Sequence, residues 1–297
     1  MNAKPEKSNI KTQSLPPMLQ SILDLTIAIP VKNEEKNLPG CLDAIGTNFA
    51  KNIVIIDSGS TDSTLSIARE RGIEVIDFKW NGEFPKKRNW YLRNYTPNTG
   101  WVMFLDADEF ITEEFKKEVY QELSNGNCVG YWLNYTVFFL EKKLRGGYSL
   151  NKLALFKTGS GEYERIDEKQ WSHLDMEIHE HPVLIGKIGS IKSKIDHHDF
   201  HGISHYIRKH DQYANWEALR YLNTKKNKQC RSAWTWKQKI KYKLLATPLI
   251  GPSFFLGSFI LMGGFRDGAT GFAFAILKSS YFTQIYCKIK ELELSVK

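Results

Sequence analysis

Cysteine is sparse in this chain: four in 297 residues, at Cys41, Cys128, Cys230 and Cys287, with no C-x-x-C pair. That spacing excludes a disulfide frame and a cysteine zinc site, and it points to reduced thiols in a cytosolic setting. The polar first 20 residues lack the apolar core of a signal peptide and carry Pro5, Pro16 and Pro17, so residues 1–22 are expected to form a disordered leader. No H-E-x-x-H occurs, although all eight histidines lie between His173 and His210. Acids are missing from Lys225 to Lys243, a block that holds eight Lys/Arg together with Trp234 and Trp236. Charge of either sign is missing from Leu244 to Phe265.

What is present begins with a net charge of +8, which implies a polyanionic partner: nucleic acid, anionic lipid or a phosphorylated substrate. The first hundred residues after the leader alternate in pattern. Asp24 to Val31 is β-rich and carries Pro30 near its end; Leu38 to Phe49 has helical spacing in Leu38, Cys41, Leu42 and Ile45. Asn52 to Asp57 is a second buried strand. Ser58 to Asp62 is a turn that opens a helix, with Ser60 or Asp62 able to cap it and Gly72 able to end it. Ile73 to Phe78 is a third strand, Phe84 to Tyr95 a helix, and Trp101 to Leu105 a fourth strand. This alternation predicts an α/β fold with a parallel sheet and helices on both faces.

The fourth strand runs straight into Asp106, Asp108 and Glu109. Open α/β folds bind ligands at the carboxyl ends of their strands, and carboxylates there are costly unless a cation sits on them. A hard divalent ion is one answer; capping of the helix that starts near Thr112 is the other. The second strand also ends in an acid, Asp57. If the two strands lie close, their acids share one crevice.

Four segments in order, Ile29-Pro30-Val31-Lys32-Asn33-Glu34-Glu35, Ile56-Asp57-Ser58-Gly59-Ser60-Thr61-Asp62-Ser63-Thr64, Lys87-Arg88-Asn89 and Leu105-Asp106-Ala107-Asp108-Glu109, resemble the successive motifs of family 2 glycosyltransferases with the GT-A fold, a Rossmann-like nucleotide-diphospho-sugar transferase. Their order and spacing resemble the bacterial lipopolysaccharide-core and exopolysaccharide branch. The resemblance implies a metal-dependent, inverting glycosyltransferase of hexosyltransferase type. Its donor would be a nucleotide sugar, with a UDP-sugar expected, and its cofactor Mg²⁺ or Mn²⁺. Asp108 would bind the metal directly; Asp106 would bind it through water or contact the nucleotide ribose. Asp57 would meet the nucleobase, Glu34 the base or ribose, and Arg88 the base or phosphate, with Pro30 and Asn33 completing the donor site. For Lys86-Lys87-Arg88 a solvated charge run remains open.

Displacement at an anomeric carbon also needs a general base on the acceptor hydroxyl. Met176 to Glu180 resembles the His-Glu element of this branch, which puts Glu180 in that role, with Asp175 and Glu177 as substitutes. By the same resemblance His197 is a further metal or diphosphate contact; a buried structural histidine is the other reading. Leu144 to Ser149 is a glycine-rich loop, Lys152 to Lys157 a strand, and Gly202 to Leu222 an aromatic-rich helix.

The basic block and the apolar stretches Leu244–Phe265 and Ala269–Tyr286, the latter carrying only Lys278, predict two broken helices lying in or dipping into an anionic leaflet. A soluble helical pair and a transmembrane hairpin are the alternatives. The expected organisation is a leader over 1–22, a catalytic unit over 23–223 (donor half 23–115, acceptor half 116–223) and a membrane-associating extension over 224–297. The acceptor would be a lipid-linked or lipopolysaccharide-type glycan at the cytoplasmic face of the inner membrane, and nucleic acid would not be a partner. Two other classes compete: a nucleic-acid-binding protein using the basic, tryptophan-bearing segment, and a histidine-dependent metal hydrolase.

Overall fold

The structure is a computed structural model that describes residues 21–165, Asp175, Glu177, 180–198, 202–226 and 236–295. Residues 1–20, His173, His179, His201, Cys230 and Trp234 lie outside the described residues, as does the 227–235 stretch of the basic block.

Four strands form the first half of the sheet: β1 (Leu23–Val31), β2 (Ala50–Asp57), β3 (Glu74–Asp77) and β4 (Trp101–Phe104), paired in parallel in the order β3-β2-β1-β4. Their two-residue period explains why they read as continuous apolar runs. Leu25, Ile27 and Ile29 of β1, Ile55 of β2 and Met103 of β4 face one core. Ala28, Val54, Ile56, Val102 and Phe104 face another. Both faces are covered, as in any parallel sheet. The first core is closed by α1 (Leu38–Ile45), which buries the four apolar residues of its predicted stripe, and by α4 (Glu113–Asn125). Between α1 and α4 come α2 (Thr64–Glu70) and α3 (Lys87–Asn94).

The predicted parallel arrangement holds throughout that half; in the other, only β6 and β11 pair in parallel. Beyond β4 the order continues β8 (Asn151–Lys157), β6 (Gly130–Phe139), β11 (Ile188–His197) and β5 (Glu109–Phe110), while β7 (Lys142–Lys143) pairs with β6. β8 runs antiparallel to both β4 and β6, so the sheet is mixed. A short ribbon of β9 (Gly161–Tyr163) and β10 (Pro182–Leu184) stands apart. β6 and β11 alternate too weakly in polarity to stand out in sequence: Tyr131, Leu133 and Tyr135 of β6 and Ile191 and Ile195 of β11 face the core, with Trp132, Asn134, Lys192 and Lys194 between them.

Among the described residues four helices follow: α5 (Ile203–Lys226), α6 (Trp236–Leu245), α7 (Ile250–Phe255) and α8 (Gly268–Ser295). They share a third core built on Ala214, Ala218, Tyr242, Leu245, Ile250, Tyr281 and Ile285. A π-helical turn (Leu256–Leu261) and a 3₁₀ turn (Gly264–Asp267) connect α7 to α8. Among the described residues no single helix is long and apolar enough to cross a membrane; Ile250–Leu261 and Gly264–Ser295 pass together but are bent by 71°. The glycine-rich loop is fastened to this bend. Asp267 accepts from the backbone N–H groups of Arg145 and Gly146, and Gly147 donates to the Met262 carbonyl. A side chain at Gly146 would put its Cβ 2.1 Å from the Gly263 carbonyl oxygen, so only glycine fits there.

Candidate functional site

The carboxyl ends of β1, β2 and β4 open onto one edge, and three loops meet there. Asn33, exposed and left-handed at φ 59°, accepts from Thr61 N–H at 2.8 Å and donates its own N–H to the Ser60 hydroxyl. Asp62 accepts from Glu35 N–H, and its other oxygen accepts from Thr64 N–H, so it clamps the β1 loop to the start of α2. Asp57 is buried and turned into its own loop, where it accepts from Gly59 N–H, Ser60 N–H and the Ser60 hydroxyl. Pro30 is buried on β1 opposite Ile56. Glu34 is half-buried and accepts from Asn37 Nδ2 at 2.8 Å. Burial pushes its carboxyl up to about 7, against the Asn37 bond, with Asp108 adding to the rise.

Lys86, Lys87 and Arg88 are not a solvated run: all three are less than 10% exposed. Burying cations is tolerable only with partners. Lys86 pairs with Glu180 at 3.0 Å, Lys87 with Asp175 at 3.6 Å and Arg88 with Asp106 at 2.8 Å. Glu177 binds the same turn differently. Its carboxylate accepts from the N–H groups of Arg88 and Asn89 at the start of α3, and Arg88 donates a guanidinium hydrogen to its carbonyl. An anion on a helix N-terminus satisfies donors that have no partner within the helix.

Asp106 and Asp108 are not helix caps. Thr112 caps α4, its hydroxyl accepting from Phe115 N–H at 3.2 Å. Asp106 instead uses both oxygens on cations: Arg88 on one, and Lys152 of β8 at 2.6 Å on the other. Lys152 also hydrogen-bonds Glu109, which is fully buried. The antiparallel pairing of β5 with β11 brings His197 opposite Glu109, and His198 N–H donates to the Asp108 carbonyl. His197 Nε2 then lies 3.5 Å from Asp108 Oδ2. Burial alone would raise Asp106; Lys152 and Arg88 overcome it and hold the carboxyl well below its usual range. Asp108 is likewise lowered, by His197, and burial is overcome in turn at His197, which Asp108 raises. Burial raises Glu109 despite Lys152.

One ligand atom each from Asp108, Glu109 and His197 lies within 4.8 Å of the others. Two carboxylates and an imidazole are a donor set that fits a divalent cation such as Mn²⁺. The grouping differs from the predicted Asp106, Asp108 and His197: Asp106 stands beside it, held by Arg88 and Lys152, and Glu109 takes its place. Lys152 was missed, because a lysine opening a strand carries no local mark of an acid cluster 43 residues earlier. Glu180 is 5% exposed and has Lys86 as its ion-pair partner; Trp216 of α5 lies 6.0 Å from the Lys86 ammonium. Of the histidines, His197 joins the acids; His181 packs edge-on against Trp132 and His198 stacks on Phe138.

An α/β sheet that gathers acids and buried cations at the carboxyl edge of its parallel strands defines an enzyme of the nucleotide-handling kind. The comparisons make it specific: residues 26–185, more than half of the chain, match the family model for glycosyl transferase family 2, and the protein belongs to that family and is a glycosyltransferase. It is 25% identical over 272 residues to the uncharacterized glycosyltransferase RT0209 of Rickettsia typhi, covering 90% of this chain and 86% of that one. It is 32% identical over 97 residues to the prophage-derived glycosyltransferase SunS of Bacillus subtilis, but covers only 22% of SunS. Among solved structures, S. aureus TarS 1–349 superposes over 91% of each chain at 14% identity with a TM-score of 0.41.

Proposed function

We propose that this glycosyltransferase moves a sugar, with inversion, from a nucleotide-diphosphate donor, a UDP-sugar, to a lipid-linked or lipopolysaccharide/exopolysaccharide glycan at the cytoplasmic face of the inner membrane. The observation that carries the donor half is the charge cluster at the strand edge, in which Asp106, Asp108 and Glu109 are interleaved with Arg88, Lys152 and His197. Asp108, Glu109 and His197 would hold Mg²⁺ or Mn²⁺, with Asp106 at its margin. Such an ion, when bound, neutralises charge on the leaving diphosphate. Arg88 is a buried cation and Lys152 a half-buried one, both held in place by Asp106, so a diphosphate competes with Asp106 for them without reorganising the site. Pro30, Asn33, Glu34 and Asp57 would flank the base and ribose.

Glu180 is the proposed base, withdrawing the proton from the acceptor hydroxyl. Asp175 is its substitute. Both oxygens of Glu177 already serve the start of α3, which makes it a positioning residue for Arg88.

The membrane half rests on the bend between α7 and α8. Leu256, Ile260, Met262, Phe265 and Phe272 are exposed there, and Leu261 is 85% exposed. A contiguous apolar patch on a soluble surface is uncommon and suits a lipid interface. The division into a catalytic unit (23–223) and a membrane unit (224–297) is part of the same proposal.

Thermal stabilisation by UDP-, GDP- and dTDP-sugars with Mn²⁺ tests the donor reading. UDP-sugars are expected to raise Tm in the wild type and to have no effect on Asp108→Ala. An unchanged response in the variant would remove the site assignment.

A further inference from the structure

A cleft of about 70 Å³, open to solvent, lies between the sheet and the C-terminal helices, away from the loops of β1 and β2. Its sheet-side wall is the end of β6, Phe138 and Phe139, together with His197 of β11. Tyr148, from the glycine-rich loop, and Tyr206 of α5 form further walls, and α8 closes the cleft with Phe274 and Lys278. Lys278 is the only charged residue from Ala269 to Tyr286. Spaced i and i+4, Phe274 and Lys278 share one face of α8, while Phe272 and Ile276 share an exposed one.

The Lys278 ammonium is half-buried in this cleft. It lies 5.3 Å from the Tyr206 ring centre and 5.8 Å from those of Tyr148 and Phe274, and 3.1 Å from His210 Nε2. His210 Nδ1 lies 3.0 Å from the Tyr206 carbonyl. Both ring nitrogens of His210 thus have partners, the Tyr206 carbonyl and the Lys278 ammonium. The lining therefore combines aromatic faces, which suit the C–H faces of a sugar ring, with one positive charge. No acid is among the described lining residues. A pocket that is mostly apolar with one placed charge takes its specificity from that charge, and an anion on the ligand would meet it through a strong charge-assisted hydrogen bond. His197, which also lines the cleft, lies 3.5 Å from Asp108 of the donor cluster.

We propose that this cleft is a subsite for the acceptor glycan and that Lys278 selects an acceptor sugar carrying an anionic substituent, a phosphate or a carboxylate. The proposal deepens the acceptor half of the function proposed above and rests on it. The walls contributed by Tyr148, Phe274 and Lys278 come from the loop and helix fastened to the apolar bend, so an acceptor presented from a bilayer would enter beside them.

The test uses the full chain with UDP and Mn²⁺ and measures binding of glucose, glucose 6-phosphate, glucuronic acid and inorganic phosphate. Both anionic sugars are expected to bind at least 10-fold more tightly than glucose, and glucose 6-phosphate more tightly than inorganic phosphate. Lys278→Met should abolish that preference, Lys278→Arg should keep it, and UDP affinity should stay the same in both. Equal binding of neutral and anionic sugars, or a preference that survives Lys278→Met, would overturn the proposal. So would displacement of glucose 6-phosphate by phosphatidylglycerol vesicles, which would make the cleft a lipid-headgroup site. A chain that binds glucose 6-phosphate through Lys278 yet shows no affinity for UDP would sink the donor reading while supporting the cleft.

Discussion

The strand edge and the α7–α8 bend depart from the usual distribution of residues in opposite directions. The edge puts charge inside: Lys86, Lys87, Arg88, Asp57, Asp108 and Glu109 are all buried. The bend puts hydrocarbon outside, at Leu261, Met262 and Phe265. Each arrangement costs free energy in an isolated chain, the first through desolvation and the second through apolar hydration. Each cost would fall on binding the proposed partners, a metal and a diphosphate at the edge and a lipid surface at the bend. The difference teaches where to look for function: at the places that keep an unfavourable distribution.

The comparison can be broken most forcefully at the edge. Asp108→Ala is expected to reduce kcat/KM on the order of 10²–10³-fold, the scale seen when a group stabilising transition-state charge is lost; steady-state sugar transfer measures it. Lys152→Met leaves the fully buried Glu109 without its half-buried cation and should cost roughly 1–3 kcal/mol in a denaturant titration. Mn²⁺ should return part of that loss, because ion and ammonium answer the same charge. At the bend, Leu261→Glu should weaken binding to phosphatidylglycerol vesicles by roughly 10-fold or more, from the ~1.5–3 kcal/mol of a buried leucine, with sugar transfer to a soluble acceptor unchanged.

The smallest effect concerns pH. The Glu34 carboxyl titrates near 7 when folded, above its unfolded value. The stability carried by its protonated form is therefore present below about pH 4.5 and lost as pH rises through 7. A nearby cation favours the carboxylate, so Mn²⁺–UDP affinity should rise a few-fold as pH increases through 7. Glu34→Gln should flatten that rise.

The parallel half of the sheet was legible because its strands are apolar on both faces, so Leu25–Ile29, Ile53–Ile56 and Trp101–Leu105 each announce a buried strand, and two of them run into acids at Asp57 and at Asp106 and Asp108. The mixed half was not, since β6 and β11 mix core tyrosines and isoleucines with solvent-facing lysine and asparagine. At the site, the acids were visible and their counter-ions were not. Lys86 meets Glu180 across 94 positions and Arg88 meets Glu177 across 89. Such pairings are set by the crossover of the sheet and leave no short-range trace. Lys152 was missed for the same reason, Glu109 was seen in the acid cluster but given no role, and Thr112, at the start of α4, took the capping role for which Asp106 and Asp108 had been weighed.

The central claim is that Asp108 and its neighbours bind the diphosphate of a nucleotide through a divalent ion. Calorimetric titration of UDP into the wild type and Asp108→Ala, each with and without Mn²⁺, tests it most directly. The account predicts binding only for the wild type with Mn²⁺. Equal UDP affinity in all four titrations would contradict it.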